Sequence, residues 1–353
     1  MMHKQRGTVA ALLFLLVGAS AFATVPAGHA LKIPGSSTKS TTTTTTTSLS
    51  SRPNSFLLRA TPDDTDSENN SNNKWLVPGI ALASVVSLSL AAKIGALPGP
   101  PNGSGSFDPY TDAMILQDVG ATLLTGTLGY IFVKANTWAA EKGYVNPKDS
   151  RKIIHTLSAP LFVVFWPLFS TAFGARFFAA SVSLANACRL YIAGSGGDKS
   201  LAFAVSRSGD SKEALGGPFL YVIILFASIV LAWRDSPVGV IALSAMAAGD
   251  GLADLLGRRY GANNKWFFNR DKSMAGTLAF FVGSTLCAWI LLQVLWIDLL
   301  PSSLVPADTS PELLLCAIML ASSILEVVPW GKLVDDNWVV PLGAAVMAAV
   351  AFS

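Results

Sequence analysis

Charged side chains are scarce in this chain: 25 lysines and arginines and 22 aspartates and glutamates among 353 residues, or 13%, against 51% hydrophobic residues and a mean hydropathy of +0.49. Soluble domains carry about 25% charged residues, so a soluble globular protein is excluded and a polytopic membrane protein is expected. Basic excess is lacking too. The formal net charge is +3 and the basic residues sit in short clusters between apolar segments, which excludes nucleic acid as a partner. The three cysteines, Cys188, Cys287 and Cys316, form no CxxC and each lies in an apolar segment, so neither a disulfide framework nor a cysteine metal site is expected. A Walker A loop is absent. Its nearest approach, Gly194 to Ser200, has Asp198 where the glycine before Lys199 is required, which excludes P-loop phosphate chemistry.

Acid is also absent from Phe22 to Ala60. Ahead of that stretch, Lys4 and Arg6 precede the apolar run Ala10 to Gly18 and the small-x-small site Ala19-Ser20-Ala21, so residues 1–21 read as a signal peptide. Residues 22–60, with threonines from Thr41 to Thr47 and scattered Lys32, Lys39, Arg52 and Arg59, have the make-up of a plastid transit peptide. Two targeting signals in series imply two import steps. The stretch Ala19-Ser20-Ala21-Phe22-Ala23 resembles the junction of bipartite presequences in algae with complex plastids. Residues 61–74 are acidic and polar, as expected of a disordered linker, and 75–353 form the membrane domain.

What is abundant is apolar sequence. Stretches at 75–97, 113–135, 153–173, 174–194, 217–233, 236–256, 275–299, 312–328 and 337–352 predict an all-α, polytopic helical bundle of roughly eight to nine transmembrane helices. If all nine cross, loops 136–152, 195–216, 257–274 and 329–336 share one face. Those loops hold thirteen lysines and arginines, against Arg176 and Arg234 on the other face. By the positive-inside rule the charged face is expected on the cytosol-equivalent side, the stroma in a plastid membrane. The same parity brings His155, Asn186, Arg189, Asp250, Asp254, Glu326, Asp335, Asp336 and Asn337 to similar depth, as one polar pocket would require.

Asp250 and Asp254 stand four residues apart at the end of the sixth stretch, on one helix face, where charge is costly. Two carboxylates about 6 Å apart suit a divalent cation, so both are candidate catalytic residues and Mg²⁺ ligands, with triphosphate oxygens completing the shell. Gly257, Arg258, Arg259, Lys265, Arg270, Lys272 and Ser273 follow at once, and Arg207 lies in a mixed-charge loop on the same face; these are the candidate nucleotide and phosphate ligands. Glycines 249, 251, 257 and 261 would let phosphate approach the backbone, and Lys272-Ser273 precede a helix whose N-terminal amides can bind an anion. Phosphoryl transfer needs this combination of neutralised charge and positioning. His155, opening the third span behind Arg151 and Lys152, is a candidate proton acceptor alongside the aspartates.

Asp250-Gly251-Leu252-Ala253-Asp254-x-x-Gly257-Arg258-Arg259-x-Gly261 and Asn269-Arg270-x-Lys272-Ser273-x-x-Gly276 resemble blocks of the polyprenol kinase family, particularly its plastid phytol and farnesol kinases. Arg151-Lys152-x-x-His155, Arg207-x-Gly209-Asp210 through Gly217-Pro218, and Glu326 through Asp335-Asp336-Asn337-x-x-x-Pro341 resemble further blocks in the same order, so the likeness covers 151–353. The resemblance implies a polytopic enzyme that phosphorylates a lipid-soluble isoprenoid alcohol from a nucleoside triphosphate, typically CTP. For phytol the product would be phytyl phosphate, for tocopherol and phylloquinone synthesis or chlorophyll salvage. A phosphatidate cytidylyltransferase shares an Asp/Gly/Arg stretch with a later Lys-Ser/Thr element, but the Arg207 and Asp335 blocks favour the kinase. An ion or anion transporter would place its charges at the midplane rather than at one face.

Overall fold

The computed structural model describes residues 81–197, 210–330 and 336–352. The presequence, the linker, Arg207 and Asp335 lie outside the described residues. Among the described residues nine helices follow one another, with two isolated β-bridges and no strand. They are α1 (Ala81–Lys93), α2 (Asp112–Glu141), α3 (Pro147–Val164), α4 (Ala175–Gly194), α5 (Gly217–Leu231), α6 (Pro237–Tyr260), α7 (Met274–Leu295), α8 (Pro311–Val327) and α9 (Asp336–Phe352). Four units are each long and apolar enough to cross a membrane: α4, α6, α7, and α5 together with the 3₁₀ turn Ser211–Leu215 before it.

Helix starts are written locally. Asn146, Ser236 and Ser310 accept from backbone N–H groups two or three residues on, each directly ahead of a proline at the first helical position, where a missing N–H costs nothing. The Asn146-Pro147 signal starts α3 six residues before the expected 153, and Pro167 lies in the 3₁₀ turn Trp166–Leu168 that separates α3 from α4. The third stretch therefore ends at Val164 rather than at 173.

The hub is α6, in which every residue from 239 to 249 is buried, with α3, α5, α7 and α9 packed around it. Small residues make this possible. A Cβ on Gly249 would lie 2.7 Å from the Phe280 ring of α7, and one on Gly251 would lie 1.9 Å from Thr156 Oγ1 of α3, so both neighbours touch the α6 backbone itself. On the outside, Leu278, Val282, Leu286 and Trp289 of α7 form an exposed apolar stripe at helical spacing, as a lipid-facing surface requires.

Polar groups gather at opposite ends of α3 and α6. Beyond the C-terminus of α3, the wholly buried Asp118 of α2 accepts from the Tyr110 hydroxyl, from Ser170 N–H (2.6 Å) and from the Ser170 hydroxyl (2.8 Å). Arg234, between α5 and α6, donates to the carbonyls of Trp166 and Phe169 (both 3.2 Å) and Ser170 (2.5 Å). Burial pushes its guanidinium below the usual range, opposed by Asp235 and Asp118. Arg176 pairs with Asp235 at 2.9 Å. The Lys152–Asp250, Arg258–Asp149 and Lys272–Glu326 pairs lie at the other end.

Candidate functional site

That other end is built from the N-terminus of α3, the C-terminus of α6, the 261–273 loop and the C-terminus of α8. Lys152, His155 and Thr156 stand on one face of α3, which crosses α6 where Gly251 leaves room. Lys152 Nζ lies 2.7 Å from Asp250 Oδ2, and His155 Nε2 lies 3.0 Å from the same oxygen. Oδ2 therefore holds two donors at once.

The backbone below Asp250 is irregular. A single π turn, Ala245–Gly249, moves the Asp250 N–H onto the carbonyls of Ala245 and Ala247. In a regular α-helix it would bond to the Met246 carbonyl. That carbonyl instead meets His155 Nε2 at 3.2 Å. Such turns recur at functional sites because they redirect backbone groups and the side chains that follow.

One turn further along α6, Arg258 bridges Asp254 (3.1 Å) and Asp149 of α3 (3.0 Å), and Arg259 lies 3.6 Å from Asp149. The Asp254–Arg258 pair is about two-fifths exposed on each side, and such i, i+4 pairs contribute only about 0.3–0.5 kcal/mol. Both groups can therefore reorganise at little cost. Asp149 was not among the expected site residues: an acid in the first turn of a helix reads as ordinary helix-start chemistry.

The 261–273 loop is a tight return. Trp266 N–H donates to the Lys272 carbonyl (3.2 Å), Met274 N–H to that of Asn264 (2.9 Å), and Lys265 and Ser273 form a β-bridge. Lys265 Nζ reaches the Asp271 carbonyl at 3.3 Å, and Arg270 is exposed. Lys272 Nζ meets Glu326 Oε1 of α8 at 2.5 Å, and Asn269 Nδ2 donates to the Val327 carbonyl at 2.7 Å. Ser273 is buried and caps α7 by accepting from Gly276 N–H.

The glycines have partners other than phosphate. A Cβ on Gly261 would fall 2.3 Å from Ser273 Oγ, and one on Gly257 would fall 3.2 Å from it, so both clear space for the Ser273 cap at the α6–α7 crossing. Gly249 and Gly251 are taken up by Phe280 and Thr156. Protein atoms thus occupy the Cβ side of each of these glycines.

Of the other residues expected in one pocket, Asn337 at the start of α9 lies near the N-terminus of α5, with its Nδ2 3.8 Å from where a Gly217 Cβ would be. Arg189 faces away to Tyr130 of α2, its guanidinium 5.6 Å from the ring centroid. Asn186 is exposed. Asp118 also escaped the sequence reading, although the rule that singled out Asp250, a carboxylate inside an apolar run, applies to it equally.

Among the described residues no group of three or more His, Cys, Asp or Glu side chains could hold a metal as a cage. Mg²⁺ does not require one. It commonly takes one or two carboxylates and completes its octahedron with substrate phosphate and water.

A bundle of apolar helices with carboxylates and cations interleaved at one end defines a polytopic membrane protein with an ionic site at its helix ends. No family model matches the chain, and no solved structure does. Curated proteins do match: the probable chloroplastic phytol kinase of Triticum aestivum is 37% identical over 305 residues, 86% of this chain and 95% of its own length. That of Zea mays is 38% identical over 250 residues, covering 68% and 78% respectively. Phytol kinase 1, chloroplastic, of Arabidopsis thaliana is 36% identical over 243 residues, covering 67% and 78%. The chain belongs to the phytol kinase family. It is a plastid membrane protein.

Proposed function

We propose that this protein transfers the γ-phosphoryl group of a nucleoside triphosphate, CTP in the first instance, to the hydroxyl of phytol or a closely related isoprenoid alcohol. The observation that carries the reading is the Lys152–Asp250–His155 cluster at the helix ends, one turn from Asp254 and two from Arg258. It supplies carboxylates, cations and a base at the level where a bilayer-dissolved alcohol presents its hydroxyl and a nucleotide arrives from water. Phytyl phosphate, the product, would serve tocopherol or phylloquinone synthesis or chlorophyll salvage.

Asp250 and Asp254 would hold Mg²⁺, Asp250 through Oδ1, because Oδ2 is committed to Lys152 and His155. When bound, the ion supplies charge neutralisation on the phosphate oxygens. Arg258 and Arg259 are held over the site by Asp149 and can turn from carboxylates to phosphates, a geometry guanidinium groups favour. Lys272 stands at the α7 N-terminus, where the helix dipole adds to its charge.

The test is to incubate membranes containing the chain with phytol, Mg²⁺ and γ-labelled CTP or ATP in parallel. Label in an organic-soluble monophosphate is the expected result, and transfer from ATP alone would correct the donor. Pyrophosphate release from CTP with label absent from lipid would overturn the reading in favour of a cytidylyltransferase.

A further inference from the structure

His155 touches two groups through a single atom. Its Nε2 lies 3.2 Å from the Met246 carbonyl and 3.0 Å from Asp250 Oδ2. Both oxygens are acceptors and a carbonyl has no proton to give, so the favourable arrangement puts the proton on Nε2, shared between them. In the neutral ring the other nitrogen, Nδ1, then carries the lone pair. Among the described residues it has no hydrogen-bond partner, and about a fifth of the side chain is exposed.

The ring is held from a third side by Tyr221 of α5, their centroids 4.6 Å apart at 50°. The buried Tyr221 is itself anchored to α3: its hydroxyl accepts from Ala159 N–H (3.0 Å) and from the Ser158 hydroxyl (3.1 Å), beside Pro160, where α3 has lost a backbone donor. Tyr221 thus grips α3 at two points one turn apart, the imidazole and the proline-loosened turn. The π turn provides the second restraint by releasing the Met246 carbonyl.

We infer that Tyr221 and the π-turn carbonyl of Met246 lock His155 as the Nε2–H tautomer, and that His155 serves as the base of phosphoryl transfer through Nδ1, with Tyr221 a positioning residue. The chemistry rests on the kinase reading above; the tautomer does not. In the step, the alcohol oxygen forms its bond to the γ-phosphorus, the bond from that phosphorus to the β,γ-bridging oxygen breaks, and the nucleoside diphosphate leaves with the electron pair. The alcohol proton passes to His155 Nδ1 and afterwards to water.

Two measurements on the full chain in lipid nanodiscs test this. ¹⁵N imidazole NMR, with His155→Gln used to assign the signal against His3 and His29, should show a protonated, pyrrole-type Nε2 and a lone-pair Nδ1. The opposite tautomer overturns the inference whatever the enzyme's activity. In the labelled-phosphate assay, His155→Gln should lower kcat by about 10²–10⁴-fold. Tyr221→Leu should lower it by up to about 10²-fold, the cost of a small misplacement, with the nucleotide KM unchanged. Tyr221→Phe, which keeps the ring, should restore most of the loss. Tyr221→Leu with wild-type kcat and an unchanged ¹⁵N spectrum would remove the positioning role. Wild-type protein with the expected tautomer but no transfer to any isoprenoid alcohol would overturn the base role and the kinase reading, while leaving the tautomer standing.

Discussion

Asp250 shows how a single carboxylate can be divided between structure and chemistry. One oxygen binds Lys152 and His155, which holds α3 to α6, and the other would serve the proposed metal ion. Asp250→Asn and Asp254→Asn should therefore differ. Each is expected to cut phosphoryl transfer by about 10²-fold or more, but only the first should lower thermal stability, because Asp254 is an exposed partner of a neighbour on its own helix. Wild-type transfer rates in both variants would remove the metal assignment. Lys272 poses a similar question, since its Glu326 partner is almost wholly buried. Removing one member of such a buried pair costs about 3–5 kcal/mol, whereas an apolar pair can be nearly neutral. Lys272→Met should thus unfold readily in detergent, and Lys272→Met with Glu326→Leu should regain stability. If the double variant also regains transfer, Lys272 is structural; continued loss of activity assigns it to the phosphates.

At the level of elements, α6 performs two tasks that favour different residues. Its buried half, 239–249, is made of small and apolar side chains so that four helices can approach, while its last turns carry Asp250, Asp254, Arg258 and Arg259. The change occurs at the π turn, which ends where the charged turns begin. Gly251→Ala tests the packing half. The new Cβ would overlap Thr156, and adding Thr156→Ala removes the closest atom but leaves Cβ at 2.7 Å. Melting of the purified protein should fall by several degrees in Gly251→Ala and recover only in part in the pair. Full stability in the single variant would show that α3 and α6 are not in contact there. The glycine spacing was legible in the sequence and its partners were not, because a glycine that admits a phosphate and one that admits a neighbouring threonine look the same.

At the scale of the whole bundle, the ion pairs of the described residues are sorted to its two ends. At one end they interleave across α3, α6, α7 and α8. At the other, Asp118 and Arg234 bind hydroxyls and backbone groups into a closed network. Asp118→Leu should destabilise the fold, since it strands the Tyr110 hydroxyl and the Ser170 donors, yet leave the nucleotide KM untouched; a shifted KM would tie that end to the site. Sidedness is measurable as well. A cysteine placed at Asn263, in the site loop, should react with a membrane-impermeant maleimide from the face opposite to one placed at Asp235. Labelling of both from the same face would overturn the one-ended arrangement.

Composition and apolar run length were sufficient to specify an all-helical membrane protein, most of its helix starts and the conspicuous Asp250–Asp254 pair, because those properties depend on near neighbours and on transfer out of water. The 261–273 cations and His155 were legible for the same reason: a charged or titratable group between apolar segments is costly to place and stands out from its neighbours. What only the tertiary structure decided was partnership. It gave Asp149 to the arginines, Thr156 and Ser273 to the glycines, Glu326 to Lys272, and Tyr221 with a freed backbone carbonyl to His155. Each of these contacts joins residues brought together by helix crossings, and the crossings follow from side-chain volume at close approach rather than from any local pattern along the chain.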